Sequence, residues 1–173
     1  MDIMTSRVFG ITGWKNSGKT TMTEKLVAEL CGRGWTVSTV KHAHHDFDID
    51  KPGADSHRHR QAGASEVAVV SGRRWALMHE LRGEEEPPLS AILARLAPCD
   101  IVLVEGYKRE GHRKIETRRL DAKDTAPLAA ADPHIVAIAA DHEVAGGSLP
   151  VFDLDAIAVI ADFIEAETGL SQK

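Results

Sequence analysis

Cysteine is nearly absent from this chain of 173 residues. Cys31 and Cys99 are the only two, and they stand apart, with no C-x-x-C and no metal-type spacing. That excludes a disulfide framework and a cysteine-based zinc site, so both read as small core residues in a reducing compartment. Positive charge is not in excess either. Lys plus Arg total 21 against 26 Asp plus Glu, a formal charge of −5, which argues against non-specific nucleic-acid binding. No apolar run approaches a membrane span, and Met1 to Arg7 carries no apolar segment of the signal-peptide kind. Repeats, low-complexity tracts and linkers are missing too. What remains is the expectation of one soluble, cytoplasmic domain, residues 1–173, long enough to bury a sizeable core.

Against these absences stands one dense motif. Gly13-Trp14-Lys15-Asn16-Ser17-Gly18-Lys19-Thr20 fits G-x-x-x-x-G-K-[ST] at every fixed position. It follows a β-prone run, Val8–Ile11, and precedes a helical stretch from Thr21 to Gly34 with Met22, Leu26 and Leu30 on one face. Backbone N–H groups of such a loop converge on phosphate oxygens, and the helix N-terminus adds partial positive charge. Gly13 and Gly18 permit the turn, Lys19 reaches the β/γ-phosphates, and the Thr20 hydroxyl is placed for Mg²⁺. Gly13, Lys15, Asn16, Ser17, Gly18, Lys19, Thr20 and Thr21 are therefore the candidate nucleotide-binding residues.

The rest of the chain alternates strands and helices. Strands are expected at Thr36–Val40, Glu66–Ser71, Trp75–His79, Asp100–Val104, Ile115–Leu120 (exposed), Ile135–Ala139 and Val151–Phe152. Helices are expected at Ser56–Gly63, around Leu89–Leu96, and around Ile157–Ile164 with Asp153 or Asp155 as its cap. That order implies a P-loop α/β fold: a mainly parallel sheet, helices on both faces and a β-hairpin extension. Ligands in such folds bind beyond the carboxyl ends of the strands, where each remaining candidate falls.

Glu105 ends the run Ile101–Val104, where a P-loop protein needs a carboxylate for Mg²⁺ or for a nucleophilic water. Asp is usual there, and Glu reaches one methylene further. Asp55, after Pro52-Gly53, is either a helix cap or a second group at the metal or water. The loop Lys41 to Asp50 packs three histidines and three aspartates into ten residues. It reads as a switch loop sensing the γ-phosphate, a solvated loop, or a transition-metal site, although H-x-H-H matches no standard zinc pattern. Arg58 and Arg60 are candidates for phosphate contact or plain surface charge. Lys108, Arg109, Arg113, Lys114, Arg118 and Arg119 form a local basic excess suited to an anionic substrate or a solvated face. Asp141, after a buried strand, is a candidate for the guanine N1 and N2 donors, though the [NT]-K-x-D pattern is absent.

Taken in order, these blocks resemble the MobB-type molybdopterin-guanine dinucleotide biosynthesis adapter family. They are Asn16–Thr21, Val40-Lys41-His42-Ala43-His44-His45, Asp50–Ser56, Arg60–Ala64, Arg74–Met78, Leu103–Lys108 and Ile138–Asp141. The resemblance implies GTP binding with Mg²⁺, weak hydrolysis, and homodimers formed through the sheet. It also implies assistance to the partner that attaches GMP to molybdopterin, rather than nucleotidyl transfer itself. On that basis Thr20 and an acid such as Glu105 hold Mg²⁺, Asp141 is a candidate for guanine, and Lys108–Arg119 for the pterin or the partner. No nucleic-acid or membrane partner is implied. Two other classes stay open: a P-loop small-molecule kinase with an arginine lid drawn from Arg113–Arg119, and a nickel-delivery GTPase using the histidine loop.

Overall fold

The computed structural model describes residues 7–43 and 47–171. His44, His45 and Asp46 of the histidine loop lie outside the described residues. The chain divides into two compact units, residues 43–91 and the remainder.

The larger unit is built on six parallel strands in the order β2-β5-β1-β6-β7-β8. They are β1 (Arg7–Thr12), β2 (Val37–Lys41), β5 (Ile101–Glu105), β6 (Lys114–Arg118), β7 (Ile135–Ala140) and β8 (Val151–Asp153). Their continuous apolar runs suit strands buried on both faces. Two long helices, α1 (Lys19–Gly32) and α4 (Ile157–Thr168), pack against each other on one face. Strand alternation puts Phe9, Ile11, Ile101, Leu103, Ile115, Ala137 and Ala139 there, against Met22, Leu26 and Leu30 of α1 and Ile160, Ala161 and Ile164 of α4. Arg33 and Trp35 fasten the two helices: the guanidinium donates to Asp162 (2.6 Å) and Glu165 (3.1 Å), and the indole to Glu165 (2.7 Å).

Over β1 and β6 the other face of the sheet carries loops. His112 packs on Gly10, where an added Cβ would meet its ring at 2.5 Å. Lys114, fully buried, donates to the carbonyls of Lys108 (3.1 Å) and Glu110 (2.6 Å) and to Asp132 (3.0 Å). Glu116, 1 % exposed, accepts the amides of Leu128 and Ala129. These charges tie two loops to the sheet, so β6 is a buried strand where an exposed one is expected.

Three further expectations change. Cys31 is exposed and Cys99 half-buried, because Cys31 falls on the outer side of α1, away from the Met22–Leu26–Leu30 stripe. The residue capping α4 is Ala156, without a side-chain cap, since Asp153 and Asp155 precede the boundary in a turn of their own. Asp55 is the first residue of α2 (Asp55–Gln61), again without a side-chain cap. Among the described residues no helix is long and apolar enough to cross a membrane.

The smaller unit contains α2 and the expected hairpin, β3 (Glu66–Val70) with β4 (Trp75–His79), antiparallel and pairing Val70 with Trp75. The remaining helix, α3 (Leu89–Leu93), spans the boundary between the units in sequence. Arg60, read as a possible phosphate ligand, is instead ringed by carboxylates. It donates to Asp50 (2.5 Å), Glu80 (2.7 Å) and Asp48 (2.9 Å). The guanidinium holds the Asp50 carboxyl below its ordinary value.

Candidate functional site

The loop after β1 has the backbone its glycines predict. Gly13 and Gly18 sit at φ +150° and +94°, and a Cβ on Gly13 would come within 2.3 Å of Ser17 Oγ. Asn16 takes φ +64°, a left-handed conformation that Asn tolerates better than most residues. The loop is pinned from β6. The Thr117 hydroxyl donates to the Thr12 carbonyl (3.1 Å), so its 2.7 Å contact with Ser17 Oγ is one in which Ser17 donates. Both side chains are buried. Thr117 escapes a sequence reading because nothing in E-T-R marks it as facing a loop a hundred residues away.

Lys19 Nζ donates to the carbonyl of Trp14 (2.6 Å), spanning the loop from inside. Its ammonium is held below the ordinary lysine value, by burial first and then by Lys108 and Lys41, against the opposing pull of Glu105. Lys108 lies 3.9 Å above the Trp14 ring in a cation–π contact, its own ammonium also lowered chiefly by burial. Tyr107 and Gly106 take φ +47° and +92° to turn the chain after β5. Three lysines thus bear on one loop, a concentration of positive charge suited to a polyanion.

Across the sheet's carboxyl edge, Glu105 closes β5 at 7 % exposure. It accepts a hydrogen bond from Thr20 Oγ1 (2.8 Å) and faces Lys41 Nζ at 3.3 Å. The Thr20 hydroxyl and the Glu105 carboxylate, predicted to share a metal, are brought together. Two hard oxygens at the mouth of a phosphate loop match the donor set Mg²⁺ takes, with water and phosphate completing the shell. Lys41 completes this group without having been singled out. Its place at a strand end, level with Glu105 in the sheet, was the available signal.

Beside the loop opens a cleft of about 180 Å³, lined by Gly18 and Thr21 with Arg119, Asp141, Leu154 and Asp155. Asp141 therefore borders the same space as the loop. Its carboxylate accepts from His142 Nδ1 (2.8 Å) and the Leu120 amide (2.9 Å) and faces Arg119 Nε at 3.4 Å. These bonds, that from His142 foremost, hold it below its ordinary value. Asp155 is paired with Lys25 (2.6 Å). Leu154 and Asp155 join the site only through the structure, and Arg119, expected within a basic stretch, reaches the same cleft because the sheet order brings these strand ends to α1.

The basic stretch does not form one patch. Lys114 is buried, Arg113 pairs with Glu167, and Arg118 pairs with Glu116 (2.8 Å). Strand alternation disperses charges that are contiguous in sequence. Asp55, a candidate for the metal or the attacking water, belongs to α2 in the smaller unit. Among the described residues no group of three or more His, Cys, Asp or Glu could hold a metal ion; His44 and His45 are not among them.

A parallel sheet whose first strand runs into this loop, and whose neighbour presents a carboxylate to the loop threonine, defines a P-loop nucleoside-triphosphatase fold. Comparison with known proteins narrows the class. The chain belongs to the family of molybdopterin guanine dinucleotide synthesis protein B, whose model matches residues 8–141. It is 38 % identical over 159 residues to the molybdopterin-guanine dinucleotide biosynthesis adapter protein of Escherichia coli, covering 91 % of this chain and 90 % of that one. With the protein of the same description from Haemophilus influenzae it shares 40 % identity over 164 residues, covering 91 % and 87 %. The crystal structure of a MobB homologue from Bacillus stearothermophilus superposes with a TM-score of 0.70 at 32 % identity, covering 92 % of this chain and 99 % of that one. Bacillus subtilis MobB, at 23 % identity and a TM-score of 0.76, shares the fold.

Proposed function

We propose that this chain is a GTP-binding adapter that assists the guanylation of molybdopterin, with weak GTPase activity and Mg²⁺ as its metal. The observation that carries the reading is the constellation of a glycine-shaped phosphate loop, Lys19 within it, and Thr20 hydrogen-bonded to Glu105 at its mouth. The adapter role is supported by the relatives described as molybdopterin-guanine dinucleotide biosynthesis adapters.

In this reading the loop amides and Lys19 bind the phosphates. Thr20 and Glu105 hold Mg²⁺, which would supply charge neutralisation between the phosphates. Asp141 offers a carboxylate to the guanine N1 and N2 donors, which adenine cannot match because its N1 is an acceptor. Weak turnover fits a site whose arginines are already paired: Arg113, Arg118 and Arg119 each face a carboxylate. The same pairing disfavours an arginine lid and hence a kinase. The protein works as a homodimer beside the enzyme that joins GMP to molybdopterin.

The test is titration calorimetry of GTP against ATP with Mg²⁺, with and without molybdopterin. Preference for GTP is expected, and coupling to molybdopterin would place the protein in the pathway. Preference for ATP would overturn the guanine assignment and move the kinase to the front.

A further inference from the structure

Lys41 ends β2 directly level with Glu105 of β5, so their side chains leave adjacent backbones on the same side of the sheet. Its ammonium lies 3.3 Å from Glu105 Oε1 and 3.4 Å from Thr20 Oγ1, against the same two oxygens suited to Mg²⁺. Glu105 is nearly buried, at 9 % side-chain exposure, while Lys41 is 58 % exposed on a flexible stem. The carboxylate is fixed and the ammonium is free to swing.

We propose that Lys41 is an exchangeable cation: it neutralises Glu105 when the metal is away, and crosses to the terminal phosphate when Mg²⁺ and a nucleoside triphosphate bind. The inference rests on the nucleotide reading above and deepens it. A divalent ion and an ammonium at about 3 Å repel strongly in a partly buried site, so the two cannot share Glu105. Release of Lys41 costs little, because the stem is solvated and its charge-assisted contacts at 3.3 and 3.4 Å are long. The strongest new attraction within reach is the γ-phosphate, which Lys19 neutralises only in part. A diphosphate ends one phosphate short and leaves Lys41 without that partner.

The experiment compares wild type with Lys41→Met, which keeps the stem and removes the charge at an exposed position. GTP and GDP affinities are measured by calorimetry with Mg²⁺, and Mn²⁺ affinity of the GDP-bound protein by electron paramagnetic resonance. The expected result is an approximately tenfold loss for GTP, with GDP changed less than about twofold. Mn²⁺ should bind several-fold more tightly, since its competitor is gone. Equal changes for GTP and GDP, or unaltered Mn²⁺ binding, would overturn the exchange while leaving nucleotide binding intact. A wild type that binds neither nucleotide would instead overturn the underlying nucleotide reading.

Discussion

Lys19 stretches across its own loop to the Trp14 carbonyl, with Lys108 stacked on the Trp14 ring behind it. An ammonium partly stripped of water and crowded by like charges gains most when phosphate arrives. Lys19→Ala should therefore weaken GTP at least about a hundredfold with the melting temperature little changed; retained affinity in calorimetry would remove Lys19 from the phosphates. Glu105→Gln keeps the shape and loses the charge. GTP should still bind and hydrolysis slow by at least about tenfold, and unaltered phosphate release would make Glu105 structural. Lys114 shows the opposite use of a lysine. With three acceptors and no exposure, it is a structural post, and Lys114→Met should cost about 3 kcal/mol in a urea melt by leaving Asp132 and two carbonyls short of a donor. A loss below about 1 kcal/mol would contradict that role.

At the scale of the elements, α1 serves two masters. Its first turn completes the phosphate loop, and its Met22–Leu26–Leu30 stripe anchors that turn to the sheet. Leu26 is wholly buried, so Leu26→Ala should lose about 3 kcal/mol of stability, whereas Cys31→Ser on the exposed side should change it by less than about 0.5 kcal/mol. Equal losses from the two would mean that α1 is packed differently. The helical stripe and the strand runs were legible because burial leaves a period of 3.6 or an unbroken apolar run in the sequence itself. The burial of β6 was not legible. Lys114, Glu116 and Arg118 look like a solvated edge until the loops that consume their charges are in place. Arg60 is a similar case: its carboxylates come from a loop and from the end of the hairpin, at separations no local pattern marks.

For the molecule as a whole, acid is the informative perturbation. His112 sits between Gly10 and the loops over β6, with Lys114, Asp132 and His134 around it, and its imidazole is pushed down to about 4, chiefly by burial and then by Lys114. The neutral ring is thus the folded form. Stability on its account is full above about pH 6.5 and falls as the pH drops toward about 4. His112→Gln should flatten that window in melts taken from pH 7 to pH 4, and an unchanged slope would assign the acid sensitivity elsewhere. Below it, Asp50 loses its negative charge beside Arg60. Its lowered value means that this contribution is present above about pH 4 and disappears as acid protonates it.

The sequence by itself determined the phosphate loop, the strand–helix alternation and the hairpin, because each depends on residues close together in the chain: glycines where φ turns positive, apolar residues at the spacing of one buried face. It also supplied the Thr20–Glu105 pairing, since a P-loop and a strand-end carboxylate imply one another in a parallel sheet. Only the tertiary structure decided which charges meet at the loop and which are paired elsewhere. Strand order set Lys41 beside Glu105 and brought Arg119, Asp141 and Asp155 to one cleft. The closing loops buried Lys114 and Glu116. A charge acquires its role from the partner that reaches it across the fold, and that partner is not written in its neighbours.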